Sequence, residues 1–336
     1  MTVKLSICIP TYNRERYLKE LLDSILENGI SEDNLGKIEI CISDNDSEDN
    51  TEQIVNEISK TSKIPVVYNK NPKNMGADYN FLKVVEIANG EYCWLMGSDD
   101  KIEPSGINYV IDKIESNKNI DIFVLTNDCY TSDFKDRLEE HHSFLLNHKD
   151  DVYYNNINKI LAEVTYALGY ISILCFKKSL WEAIDGCERF IGSAYVHTYK
   201  ILSMIKNGAQ LMYVRRPVVG WRAGNDSFYA GDTFNRLRID IEGYSKISAH
   251  VFGRLSSEHM AVLESVLRVH FTPVRISGTC VRTSTYNRYR LIKLMFKNDY
   301  YKTTKFWYKA LPFFFVPKTI YFFLRNIKKS FKKYYA

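Results

Sequence analysis

The first hundred residues alternate short apolar runs with amphipathic ones, and no other feature constrains the fold as much. Leu5–Ile9 is an apolar run that Pro10 ends. From Asn13 to about Glu27 apolar residues recur at Tyr17, Leu18, Leu21, Leu22, Ile25 and Leu26, which is helical spacing. Ile38–Ser43 is a second buried run, and Asp49 or Asn50 can cap a helix reaching about Ser59. Pro65–Asn69 and Glu91–Met96 read as strands on either side of a helix over Ala77–Ile87. Strands joined by helices through short loops pair in parallel, because a parallel pair needs a crossover connection.

Later strands are weaker in the sequence. They fall at residues 120–125, Tyr170–Phe176 and Leu211–Val214, the last extended by Pro217–Trp221. Ser193–Asn207 reads as a helix capped by Ser193 and stopped at Gly208. The polar stretch 126–160 reads as a loop over the site, and from about Phe228 the pattern is helical. The expected fold is therefore α/β over residues 1–227. Its central sheet is Rossmann-like, mostly parallel and flanked by helices, and a C-terminal helical region covers 228–336.

Charge divides the chain in the same way. Residues 286–336 hold 13 Lys or Arg against one acid, Asp299, and 17 of the 46 aromatic residues. The first 285 residues carry 32 basic and 39 acidic side chains. An acidic body with a basic, aromatic tail points to chemistry in the body and an anionic, partly apolar partner for the tail. Seven scattered cysteines with no C-x-x-C exclude a disulfide framework or a zinc site of ordinary spacing, and suit a reducing compartment. No apolar stretch is long enough to span a bilayer, and the N-terminus opens directly on a strand-like run, so neither a spanning helix nor a leader is expected. His141, His142 and His148 lack the spacing of a tetrahedral site.

Polar clusters follow the carboxyl end of each early strand: Thr11-Tyr12-Asn13, Asp44-Asn45-Asp46, Asn74 to Asp78, and Ser98-Asp99-Asp100. In an open parallel sheet that edge holds the ligand crevice. Adjacent Asp99 and Asp100 repel, and a strand end that keeps both suits a divalent cation with all-oxygen ligands, Mn²⁺ or Mg²⁺, shared with a diphosphate. They also suit a helix N-terminus, where acids are favoured. Asp44 suits a ribose hydroxyl or a base N–H. Neither G-x-G-x-x-G nor G-x-x-x-x-G-K-[ST] is present, so a dinucleotide fold and a P-loop fit poorly.

Ile9-Pro10-Thr11-Tyr12-Asn13, Ile42 to Thr51, Asn74 to Asn80 and Trp94 to Asp100 together resemble the ordered motifs of family 2 glycosyltransferases with the GT-A fold. The likeness is strong over about residues 3–110 and runs on to about 227. It implies a nucleotide-diphosphate sugar donor. It places Pro10, Thr11, Tyr12, Asn13 and Asp44 around base and ribose, with Asn74 and Asp78 nearby. Ser98-Asp99-Asp100 resembles the family's D-x-D signature, which implies that Ser98 and Asp99 lie on the nucleotide sugar, Asp99 facing the ribose or a metal-bound water, and that Asp100, with Asp99, forms the metal site on the diphosphate; Arg222 is then within reach of the diphosphate. The family's acidic pair on the acceptor side is missing at Phe190 to His197. His197 is the candidate general base, with Asp185 and Glu188 and then the Glu139-Glu140 loop as fallbacks. The aromatic-Arg-x-His stretch reads Trp221-Arg222-Ala223-Gly224, so that histidine is absent. The Gly-Ser-Asp-Asp and Phe-Ile-Gly-Ser stretches are similar to bacterial O-antigen deoxysugar transferases of the abequosyltransferase kind.

The expected activity is metal-dependent, inverting transfer of a sugar to a lipid-linked (polyprenyl diphosphate) glycan. The enzyme would lie on the cytoplasmic face of the cell membrane, its basic aromatic tail on the anionic surface and no nucleic acid as partner. The alternatives are a sugar-phosphate nucleotidyltransferase, which normally shows a Gly-rich basic loop after the first strand, and a non-catalytic carbohydrate- or nucleic-acid-binding module.

Overall fold

The computed structural model describes residues 2–138, 148–226, 228, 233–282, 284–317 and 319–322. The chain divides into two compact units, Met1–Asp226 and Ser227–Ala336.

In the first unit the strands are β1 (Leu5–Thr11), β2 (Ile38–Asp44), β3 (Val66–Lys70), β4 (Tyr92–Leu95), β5 (Lys101–Ile102), β6 (Ile122–Tyr130), β7 (Val152–Tyr154), β8 (Leu174–Lys177) and β9 (Leu211–Arg222). The helices are α1 (Glu15–Leu26), α2 (Glu32–Leu35), α3 (Thr51–Thr61), α4 (Ala77–Glu86), α5 (Gly106–Ser116), α6 (Ile157–Glu163), α7 (Lys178–Glu182) and α8 (Val196–Lys206). The sheet order is β3-β2-β1-β4-β8-β6-β9-β5, with β7 added on β9. β3, β2, β1 and β4 are parallel, as strands joined by helical crossovers must be. β1 and β2 are buried on both faces, which is why they read as unbroken apolar runs. Beyond β4 the sheet is mixed: β8 runs antiparallel to β4 and β6, and β9 runs parallel to β6 but antiparallel to β5 and β7.

Two local readings need correction. The stretch 126–160 is not one loop: β6 continues to Tyr130, and β7 and α6 follow. Thr126 and Asn127 are buried in that extension, where ladder partners on β9 replace water. β9 is a single strand through Pro217, and its register against β6 shifts between Val124 and Asn127. A bulge there accommodates a residue with no N–H to donate. The helix after residue 190 starts at Val196 rather than Ser193.

The second unit holds α9 (Thr233–Phe252), α10 (Ser257–Val269), α11 (Pro273–Arg282) and α12 (Thr285–Lys297). Leu237, Ile241, Tyr244, Val262, Val266, Leu291 and Met295 form part of its core. Residues 300–315 are short 3₁₀ and π turns, not one continuous helix, and they bury Phe306 and Phe314. Trp307, Tyr308, Phe315, Ile320 and Phe322 stay exposed. Lys328, Lys329, Lys332 and Lys333 lie outside the described residues. Among the described residues no helix is long and apolar enough to cross a membrane.

Candidate active site

β1 and β2 end in register, with Thr11 opposite Asp44 and Pro10 opposite Ser43. Where a ladder stops, its last carbonyls need new donors. Asn80 of α4 supplies them, donating to Thr11 O at 3.2 Å and Ser43 O at 2.9 Å. Its own oxygen accepts from Ser43 Oγ at 2.7 Å and Asn71 Nδ2 at 3.1 Å. Asn45 continues the network: its oxygen accepts from Asn71 Nδ2 and Met75 N, and its nitrogen donates to Asn74 Oδ1 at 2.8 Å. A primary amide offers donors and an acceptor together, so it can tie strand ends to one another. Asn74 is thereby a brace of its own loop.

Asp44 stands where the sequence puts it, but its carboxylate is fully buried. One oxygen accepts from Ser47 N at 2.9 Å, the other from Tyr68 Oη at 2.8 Å. Burial and this carboxylate push the Tyr68 phenol well above its usual range. Asn13 adopts a left-handed φ of 49°, donates its N–H to Ser47 Oγ and accepts from Glu48 N. Tyr12 is 41% exposed, and Thr11 Oγ1 is buried with no partner among the described residues. The edge is thus a rigid floor with one free aromatic ring.

Asp99 and Asp100 fill the turn between β4 and β5, beside buried Ser98. Asp100 is 3% exposed. Its Oδ2 accepts from Tyr170 Oη at 2.7 Å and Ser172 Oγ at 2.5 Å, and its Oδ1 from Arg222 N at 3.3 Å. Burial, then the charge on Asp99, push its carboxyl well above the usual range despite these bonds. Asp99 Oδ2 accepts from Arg14 Nη1 at 2.7 Å and Asn225 Nδ2 at 2.7 Å. A Cβ at Gly97 would lie 3.1 Å from Asp100 Oδ2, 3.2 Å from Asp99 Oδ1 and 3.2 Å from Ser172 Oγ. Oxygens of both acids therefore converge on the space that glycine leaves open. Two hard oxygen donors, one disfavoured as an uncompensated charge, fit a divalent cation that takes one or two protein carboxylates and completes its shell elsewhere. Among the described residues no group of three or more His, Cys, Asp or Glu is arranged to hold a metal.

Arg222 is not free to reach a diphosphate. It is 2% exposed, and its guanidinium lies between the rings of Tyr17 (4.7 Å) and Phe134 (4.3 Å). It donates to Asp99 O at 2.8 Å, to Ser132 O and to Glu20. A planar cation with several donors can satisfy all of these at once. Arg222 positions the acids from behind.

The acceptor-side candidates separate. Asp78 does not face the crevice; it is 2% exposed and accepts from Ala194 N at 2.8 Å and Val196 N at 3.0 Å, with the Gly192 and Ser193 N–H groups also bonded to it. It is the cap that α8 lacks in its own sequence. Burial pushes its carboxyl up, and these N–H groups pull it down by less. His197 is 1% exposed, edge-on to Phe81 at 5.4 Å and tilted against Tyr195 at 5.9 Å. This packing keeps the ring out of solvent. Asp185 and Glu188 lie exposed on the preceding turn and keep the solvent access a base needs. Glu139, Glu140, His141 and His142 lie outside the described residues; His148 meets Glu163 at 3.6 Å.

Burial lowers the His197 pKa to about 4, so the ring is neutral in the folded protein. The unfolded chain binds the proton first as pH falls through ~6.5, so stability is full above that value and is lost toward pH 4. At pH 5 the expected loss is roughly 2 kcal/mol. Denaturation midpoints from pH 7 to pH 5 check this: His197→Leu should flatten the slope, and an unchanged slope would refute it.

Arg14, Tyr170, Ser172 and Asn225 were missed from the sequence, although all four touch the acids or their turn. Arg14 had a signal, since it directly follows Thr11-Tyr12-Asn13. Tyr170 and Ser172 had none, because they lie about 70 residues from Asp100 and are brought to it by the sheet.

Comparison with known proteins gives this geometry a family. Residues 6–179 match the family model described as glycosyl transferase family 2. The abequosyltransferase RfbV of Salmonella typhimurium is 35% identical over 259 residues, covering 74% of this chain and 76% of that protein. Among solved structures, S. aureus TarS 1–349 in complex with UDP-GlcNAc superposes with a TM-score of 0.65 at 17% identity, over 88% of this chain and 80% of that one. The mannosyltransferase PcManGT of Pyrobaculum calidifontis, in complex with GDP-Man and Mn²⁺, gives 0.54 at 14% identity, over 89% and 87%. Those two likenesses establish the GT-A fold, and the family model with the abequosyltransferase likeness establishes the rest: this chain belongs to glycosyltransferase family 2 and is a glycosyltransferase.

Proposed function

We propose that the enzyme takes a nucleotide-diphosphate sugar at the carboxyl edge of β1, β2 and β4. It transfers the sugar, with inversion, to a lipid-linked glycan of a bacterial surface polysaccharide of the O-antigen or capsule type. The observation behind this reading is the acid pair converging on Gly97 beside the Thr11–Asn13 turn. Tyr12 offers an exposed ring for the base, and Asp44 braces the floor beneath through Tyr68. Asp100, with Asp99, would hold Mn²⁺ or Mg²⁺, which when bound supplies positive charge to the leaving diphosphate. The nucleotide complexes of the fold neighbours and the abequosyltransferase likeness support this donor class.

The second unit suits an anionic membrane surface, where a polyprenyl diphosphate acceptor is held. Trp307, Tyr308, Phe315, Ile320 and Phe322 are exposed among Lys302 and Lys309. Aromatic and apolar groups interleaved with lysines are the composition of interfacial binding. On this reading the enzyme works peripherally on the cytoplasmic face.

One experiment with two arms tests the reading. In a thermal-shift panel of UDP, GDP, CDP and dTDP, one nucleotide should raise Tm only when Mn²⁺ is present; a ligand at ~100 times its Kd adds ~2.7 kcal/mol. The protein should also sediment with vesicles containing phosphatidylglycerol and not with phosphatidylcholine alone. No shift with any nucleotide would overturn the donor, and no sedimentation would overturn the membrane surface.

A further inference from the structure

We infer that Arg14 is the internal counter-ion of the acid pair, and that it exchanges Asp99 for the donor's diphosphate when cation and donor bind. The inference rests on the donor reading above and adds a residue that reading does not use.

Arg14 directly follows the Thr11-Tyr12-Asn13 turn and precedes the first residue of α1. Its backbone is outside the helix, at φ −138° and ψ 36°, so its side chain leaves the helix axis and crosses to Asp99. The contact is 2.7 Å from Nη1 to Oδ2, between side chains 19% and 17% exposed. Arg222, the other cation at these acids, is fully buried and spends its guanidinium on Asp99 O, Ser132 O and Glu20. Among the described residues, Arg14 is the cation that meets a carboxylate oxygen of the pair and keeps solvent access.

Two adjacent acids, one of them buried, keep both charges only beside positive charge; otherwise one of them takes up a proton. Without a ligand, Arg14 supplies that positive charge. A divalent cation on the same acids competes with Arg14, because the two positive charges repel across one carboxylate. A guanidinium fork fits carboxylate and phosphate oxygens equally well. A diphosphate brought by the cation therefore offers Arg14 a new partner at the same edge. Arg14 then opposes binding of the cation alone and favours binding of cation and diphosphate together.

The test uses the full chain and its Arg14→Gln and Arg14→Lys variants. Free Mn²⁺ is followed by electron paramagnetic resonance without nucleotide. The nucleoside diphosphate found in the panel is titrated calorimetrically at saturating Mn²⁺. Arg14→Gln should bind Mn²⁺ alone about fivefold to tenfold more tightly, and the nucleotide about tenfold or more weakly, the scale of a lost charged hydrogen bond. Arg14→Lys, which keeps the charge, should lie between. Unchanged Mn²⁺ affinity in Arg14→Gln, or weakening of both ligands, would overturn the inference, since a mere prop for Asp99 would lower both together. If the unaltered protein binds neither Mn²⁺ nor any nucleotide, the donor reading fails and the inference with it.

Discussion

Asp100→Asn should lower transfer by ~10³-fold or more while leaving the melting temperature unchanged or higher. The opposite signs follow from where the carboxylate sits. Asp100 is buried beside Asp99, and its charge is disfavoured there despite Tyr170, Ser172 and the Arg222 N–H. An amide of the same shape keeps an oxygen for the two hydroxyls and removes the repulsion, which offsets the loss of the long 3.3 Å bond from Arg222 N to Oδ1. What it removes is the negative charge on the group whose Oδ2 faces the space beside Gly97, the charge the proposed cation needs. Buried charges kept at a cost to stability mark functional sites. Rate and melting temperature, measured on one preparation, check the pair of effects. A variant that loses activity by unfolding would show the acid to be structural.

Asp78→Ala should cost ~3 kcal/mol of stability, measured by the guanidinium midpoint. The residue anchors the turn before α8 across more than a hundred residues of sequence, and its loss leaves the buried N–H groups of Ala194 and Val196 without that acceptor. Unsatisfied buried donors cost more than the bonds were worth. Asp78→Asn should cost less than half as much, because one oxygen remains and the burial of a charge is relieved. A loss under ~0.5 kcal/mol for the alanine variant would mean that water reaches those N–H groups.

The half of the fold built from β1 to β4 was legible because parallel strands buried on both faces must be apolar throughout. Their ends are then marked by the first polar residues, which is how Thr11, Asp44 and the Asp99-Asp100 pair stand out. The other half was legible in its strand cores but not in their ends. Thr126 and Asn127 are polar yet buried in β6, so the reading of that strand stopped at residue 125, and Pro217 interrupts the apolar run that forms β9. Side-chain direction was equally hidden. Asp78, Arg222 and His197 have residue types suited to a site, but long-range packing turned Asp78 to the α8 turn, Arg222 to Glu20 and the aromatic rings, and His197 into the core. Motif order identifies which strand ends meet; it does not say which polar groups the interior has already used.

The central claim is that the Asp99-Asp100 pair binds a nucleoside diphosphate through a divalent cation. The most direct measurement is calorimetric titration of the nucleoside diphosphate into the unaltered protein and Asp100→Asn, each with Mn²⁺ and with excess EDTA. The account predicts that affinity in the unaltered protein falls about tenfold or more on adding EDTA, and that Asp100→Asn binds weakly and equally in both conditions. Equal affinity with and without Mn²⁺ in the unaltered protein, or an Asp100→Asn variant that keeps full Mn²⁺-dependent affinity, would contradict it.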